Sequence, residues 1–170
     1  MTANFPIYLL VMAGVTYLIR MLPLTIFRIE EHHQAAIIEM GMNHFGEIDY
    51  LTRIACPDVA VITKAGSAHL EMLGSVEGVA RAKGEIFAGL RPHGCAVINA
   101  GDAHAALWAQ LACGFRQQTF GLGPAGIMAR AVEPVGNGMH FILCTPRGDD
   151  AVTLKVPGMH NVENALAAAA

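Results

Sequence analysis

Hydrophobic positions are distributed very unevenly along this chain. The first 27 residues, "MTANFPIYLLVMAGVTYLIRMLPLTIF", are almost all apolar and carry no charged side chain before Arg20. About 20 mostly apolar residues suffice to cross a bilayer as a helix, so a hydrophobic helix is expected over 1–28. Residues 5–27 are its candidate membrane segment, with Arg20 close enough to one end to snorkel outward. A charged leading region and a small-residue cleavage site are both missing, which argues against a signal peptide.

After residue 28 the pattern breaks into short apolar runs separated by amphipathic stretches. "AAIIEMG" (35–41), "DVAVIT" (58–63) and "CAVINA" (95–100) end at polar or glycine residues. They read as buried parallel strands, with helices expected between and after them over about 44–55, 75–90 and 103–113. This alternation predicts an α/β fold: a parallel Rossmann-like sheet flanked by helices, with ligands at the carboxyl ends of the strands. From Arg116 onward, "QQTFGLG", "IMARAVEPV", "MHFILCTP" and "AVTLKVPG" are broken by "GNG" and "PRGDD". These predict antiparallel hairpins added to the parallel core. A last helix begins in "HNVENALAAAA", and no glycine or lysine closes it, the pattern expected of a truncated domain. The expected division is a hydrophobic helix over 1–28 and a partial α/β domain over 29–170.

Composition narrows the function classes. With 11 Lys+Arg against 14 Asp+Glu and no basic run, the chain lacks the footprint of a nucleic-acid binder. Cys56, Cys95, Cys113 and Cys144 form no C-x-x-C pair and each lies in or beside an apolar run. They read as small buried hydrophobes in a reducing compartment rather than disulfides or a zinc site.

Three residues could carry chemistry. Glu39 ends the first expected strand, where a carboxylate suits a hard cation such as Mg²⁺, though a solvated strand end reads equally. His69 follows the second strand at the same edge. Lys83 lies in "SVEGVARAKGEIFAGL", with Ser75 as expected N-cap and an apolar stripe of Val76, Val79, Ala80, Ile86, Phe87 and Leu90. It fills the gap in that stripe, where low dielectric favours the neutral amine, a nucleophile able to form a carbamate with CO₂. A snorkelling lysine at the stripe's edge is the competing reading. "GLGPAG" (121–126) matches a dinucleotide-binding pattern in letters only, because Pro124 and the strand-rich sequence after it oppose a helix there. His32 and His33 are adjacent and cannot share a helical face, and no P-loop pattern occurs.

Two resemblances rest on quoted residues. "YLLVMAGVTYLIRMLPLTIFR" (8–28) resembles the opening helix of the AzlD family of branched-chain amino acid exporter subunits. "AAIIEMGMNHFGEI", "PDVAVITKAGSAHLEMLGSVEGVARAKGEIF", "AVINAGD" and "VPGMHNVENALAAAA" resemble the Mur ligases, and the "LPLTIFR" stretch (22–28) fits both families. "NHFGEI" and "AKGEIF" point to the branch that joins D-Ala-D-Ala to UDP-MurNAc-tripeptide. That resemblance implies a Mur-ligase-like central domain using ATP and Mg²⁺, cytoplasmic and active in peptidoglycan synthesis. It implies Glu39 and His69 as metal ligands, with Lys83, carbamylated, as a third metal-holding and catalytic residue. Asn161 and Asn164 would bind ATP, and Asn43 and His44 the substrate. Against the family pattern, the P-loop is absent, Lys64 replaces asparagine and Gly101 replaces aspartate. The expectation is therefore a ligase fragment with little activity alone. The alternative is a membrane-anchored, non-catalytic protein with a degenerate nucleotide-binding domain.

Overall fold

The computed structural model describes residues 7–8, 34–67 and 70–170. In chain order the elements are β1 (Ile7–Tyr8), β2 (Ala36–Ile37), α1 (Glu47–Ala55), β3 (Val59–Ile62), α2 (Leu70–Leu73) and α3 (Val76–Gly84). A 3-10 turn (Glu85–Gly89) then leads to β4 (Cys95–Asn99), α4 (Ala105–Leu111) and β5 (Arg116–Gly121). The chain finishes with β6 (Ile127–Val135), β7 (Gly138–Thr145), β8 (Gly148–Leu154) and α5 (Met159–Ala169).

The fold is organised around β4, whose residues are all buried. Successive side chains on a strand point to opposite faces. Ala96 and Ile98 accordingly join one core cluster, with Ala60, Ile62, Ala80, Phe87 and Trp108 from β3, α3, the 3-10 turn and α4. Cys95 and Val97 join another, with Phe120, Phe141, Val162 and Leu166 from β5, β7 and α5. Helices therefore cover both faces of a six-stranded sheet of order β3-β4-β5-β6-β7-β8, the α/β layering expected from the alternating pattern. The buried indole of Trp108 donates from Nε1 to the Ala80 carbonyl at 2.9 Å, tying α4 to α3.

Helix boundaries follow local chemistry. Ser75 caps α3 by accepting the Gly78 amide hydrogen at 3.0 Å. The expected stripe is shifted, however: Val79, Ala80 and Ala82 are buried, whereas Val76 is 39% exposed. The helix also tightens to 3-10 geometry after Gly84 rather than running on to residue 90 as a single α-helix.

Three strand expectations change. "AAIIEMG" contributes only Ala36–Ile37, and both residues are exposed. That strand pairs in parallel with Ile7–Tyr8, apart from the main sheet, so it is not a buried core strand. An apolar run signals a preference for burial without specifying the neighbour that supplies it. Second, β5 belongs to no hairpin: it is parallel to β4 and to the start of β6. Parallel neighbours ordinarily need a crossover of a dozen or more residues. Here residues 122–126 suffice, because β6 overlaps β5 only at Phe120↔Ile127 and Gly121↔Met128 and then runs past its end. Antiparallel pairing is confined to β6–β7 and β7–β8. The first of these turns through Gly136, at φ 57°, and Asn137, as a two-residue hairpin loop requires. Third, Ile7–Tyr8 is extended rather than helical. The rest of the hydrophobic helix expected over 1–28, with its membrane segment 5–27, lies outside the described residues. Among the described residues no helix is long and apolar enough to cross a membrane.

The cysteines divide, with Cys95 and Cys144 buried but Cys56 and Cys113 exposed. Cys56 caps the end of α1 in left-handed geometry (φ 45°), its amide donating to the Thr52 carbonyl at 2.8 Å. A position set by a helix end need not be buried, whatever the apolar run beside it.

The 3-10 turn packs very closely on α1. A Cβ at Gly89 would lie 2.4 Å from the Thr52 backbone, which cannot rotate away. Gly89→Ala should therefore destabilise the chain by about 1–3 kcal/mol in urea unfolding. Gly41→Ala, with nothing within 4 Å of the added carbon, should change stability by less than about 0.5 kcal/mol.

Candidate functional site

The carboxyl ends of β3 and β4 are tied together by side chains. Asn99, the last residue of β4 and 5% exposed, donates from Nδ2 to the Thr63 carbonyl at 2.8 Å. Its Oδ1 accepts the Gly101 amide hydrogen, also at 2.8 Å. Asp102 reaches from the loop after β4 to accept the Ala65 amide hydrogen at 3.0 Å. The same carboxylate accepts the His104 amide hydrogen at 2.9 Å and lies 3.2 Å from that residue's Nδ1. Burial by itself would raise the Asp102 carboxyl, but the Ala65 and His104 hydrogen bonds outweigh it and hold the group below the ordinary aspartate value.

Lys83 enters this arrangement from the last turn of α3. Its Nζ donates to the Lys64 carbonyl at 2.6 Å. Burial pushes its amine below the ordinary lysine value, and the charge of Asp102 partly opposes that shift. The side chain is thus half-buried and directed at the exit of β3. Because the acceptor is a backbone carbonyl, the identity of the Lys64 side chain does not affect the contact.

The other expected residues that are described lie on other elements. Glu39 is exposed just beyond β2, in the chain leaving the separate two-stranded sheet. His69 lies outside the described residues. Among the described residues no group of three His, Cys, Asp or Glu side chains is placed to hold a metal ion. Asn43 and His44 lie in the turn before α1, where their amide hydrogens are accepted by Glu47 Oε2 at 2.6 and 3.2 Å. Desolvation would raise the Glu47 carboxyl, but these bonds and the His44 ring bring it below the ordinary glutamate value. Asn161 donates from Nδ2 to the Pro157 carbonyl at 2.6 Å, fixing the entry to α5, while Asn164 is exposed on that helix.

Asn99 and Asp102 were not singled out from the sequence as site residues. The available signal was "NAGD" directly after the buried "CAVI" run, where polar side chains fall at the carboxyl edge of a central strand.

Residues 19–170 match the Mur ligase middle domain. The chain belongs to the Mur ligase family. It is 41% identical over 148 residues to the UDP-N-acetylmuramoyl-tripeptide–D-alanyl-D-alanine ligase of Haemophilus influenzae, covering 87% of this chain and 32% of that protein. Identity to the Escherichia coli ligase of the same name is 39% over 150 residues, covering 87% and 33%. Among solved structures, MurF from Acinetobacter baumannii superposes with a TM-score of 0.84 at 37% identity, covering 87% of this chain and 32% of that one. Thermotoga maritima MurF, solved in complex with ADP, has a TM-score of 0.73 at 23% identity and supports the fold alone. The chain spans about a third of the length of the curated relatives it matches. The Mur ligase match takes in residues 22–28, and none of these relatives is named as an exporter subunit. The AzlD resemblance is therefore without support.

The environment of Lys83 has a pH signature. Its depressed amine should react with an amine-selective acylating reagent at lower pH than the lysine amine of an unstructured model peptide, as read by peptide mass spectrometry. Asp102 favours the charged ammonium, so Asp102→Asn should move the Lys83 profile to still lower pH. A shift to higher pH would contradict this electrostatic assignment.

Proposed function

We propose that this chain is the ATP-handling part of a peptidoglycan-precursor ligase of the MurF type, acting in the cytoplasm. The observation that supports it best is Lys83, half-buried and bonded to the Lys64 carbonyl at the end of β3, within a Mur ligase middle-domain match that covers most of the chain. In the proposed reaction a carboxylate oxygen of UDP-MurNAc-tripeptide attacks the γ-phosphorus of ATP. ADP leaves, and an acyl phosphate forms. The amine of D-Ala-D-Ala then attacks the acyl carbon, phosphate leaves, and the ammonium proton is lost as the amide bond forms.

Lys83 is assigned a carbamate, formed when the neutral amine bonds to the carbon of CO₂ and releases a proton. Desolvation supports this by favouring the neutral amine over the ammonium. Glu39, His69 and carbamylated Lys83 are proposed to hold Mg²⁺, which when bound would offset charge on the transferring phosphoryl group. Of this set Lys83 is the residue bonded at the end of β3, so the chemistry assigned here is that of the lysine. Asn161 and Asn164 are assigned to adenine, with α5 as the element that presents them. Asn43 and His44 are assigned to the peptide substrate.

Calorimetry with ADP and Mg²⁺ tests the nucleotide role. The chain should bind ADP, and Asn161→Ala should weaken binding at least about tenfold, equivalent to about 1.4 kcal/mol. Phosphate release in the presence of ATP, Mg²⁺, UDP-MurNAc-tripeptide and D-Ala-D-Ala should stay near background for this chain alone. A chain that binds neither ADP nor ATP would overturn the proposal.

A further inference from the structure

Helix α1 begins at a residue with no means of capping it. Gly46 occupies the N-cap position in left-handed geometry (φ 86°) and offers no side chain. The first amide hydrogens of a helix need acceptors from elsewhere. Glu85, the first residue of the 3-10 turn, supplies them from 36 to 39 positions away. Its carboxylate accepts the Gly46 amide hydrogen at 2.9 Å (Oε1) and 3.0 Å (Oε2), and the Asp49 amide hydrogen at 3.3 Å. From the other side, Glu47 holds the amides of Asn43 and His44.

The turn 43–46 is thus clamped by two carboxylates, while the side chains of His44 and Phe45 remain exposed. Glu85 also lies two residues past Lys83 in a continuous helical segment, so one carboxylate joins the lysine's segment to this turn. The clamp has a chemical consequence. A free helix N-terminus attracts anions, and here two of its amide hydrogens, those of Gly46 and Asp49, are already bonded to a carboxylate of the chain itself. A ligand anion at this turn therefore has to compete with Glu85 for those two amides.

We infer that Glu85 is a positioning residue that fixes the 43–46 turn, and with it Asn43 and His44, relative to Lys83 for binding of the dipeptide. The inference rests on the proposed function, in which Asn43 and His44 face the peptide substrate. Thr52 provides a control, since its hydroxyl donates to the Ile86 carbonyl at 2.7 Å and secures the same 3-10 turn through a bond that does not involve residues 43–46.

The test compares native chain, Glu85→Ala, Glu85→Gln and Thr52→Val by amide hydrogen exchange and by NMR titration with D-alanyl-D-alanine and, separately, ADP with Mg²⁺. In Glu85→Ala, the Gly46 and Asp49 amides should exchange at least about tenfold faster. Dipeptide affinity should fall at least about fivefold with ADP affinity unchanged. Glu85→Gln keeps one acceptor oxygen and should recover part of the protection. Thr52→Val should lower stability without changing dipeptide affinity. Unchanged exchange in Glu85→Ala, or equal losses for dipeptide and ADP, would overturn the positioning role. A native chain that binds ADP but not dipeptide would overturn this inference alone. One that binds neither would overturn the proposed function and this inference with it.

Discussion

The arrangement of the site depends on bonds that hold the chain leaving β3 against the end of β4. Residues 63–65 belong to no helix or strand, and a segment without regular pairing must find partners for its backbone elsewhere. It finds them in the Asn99 amide, the Lys83 side-chain nitrogen and the Asp102 carboxylate. Bonds to charged groups contribute about 1.5–3 kcal/mol each and neutral ones about 1 kcal/mol. Leaving a buried carboxylate without its donors would cost more than such a bond contributes. The exit of β3 is therefore fixed by residues far along the sequence, and it can be fixed only because β4 lies centrally with both faces covered.

The same constraint accounts for the state of Lys83. On a solvated helix its amine would be ordinary. Here α3 packs its Val79, Ala80 and Ala82 face into the core, which brings the lysine stem along the buried side and leaves the amine at the strand end. Desolvation and the neighbouring aspartate act on it in opposite directions. The net effect favours the neutral amine more than on a fully exposed lysine. The 3-10 turn that follows carries the effect outward: Glu85 and Ile86 engage α1, so one continuous segment places both the lysine and the turn at residues 43–46.

Much of this architecture was legible in the sequence, for identifiable reasons. β4 and the Ser75 cap could be read because a continuous apolar run and a capping serine act locally. Lys83 stood out because it interrupts an apolar stripe, although Val76 proved exposed and the burial came from its neighbours. Where the sequence misled, the deciding interaction was distant. Ala36–Ile37 has the apolar character of a core strand but pairs with Ile7–Tyr8. Nothing in "QQTFGLG" indicates that β5 pairs in parallel on both edges, since that follows from the short overlap with β6. Glu85 resembles any exposed helical glutamate until Gly46, 39 positions earlier, presents an uncapped helix. Of the expected site residues, Lys83 lies at the end of β3, Glu39 follows β2 in the separate two-stranded sheet, and Asn161 holds the entry to its own helix.

The most direct test of the central constraint is hydrogen exchange at a single backbone site, the Ala65 amide. Lying outside any helix or strand, it would exchange at close to the unstructured rate if the segment were free. Held by Asp102, it should exchange at least about a hundredfold more slowly in the native chain and lose that protection in Asp102→Ala. Exchange near the unstructured rate in the native chain, or protection unchanged in the variant, would contradict the account.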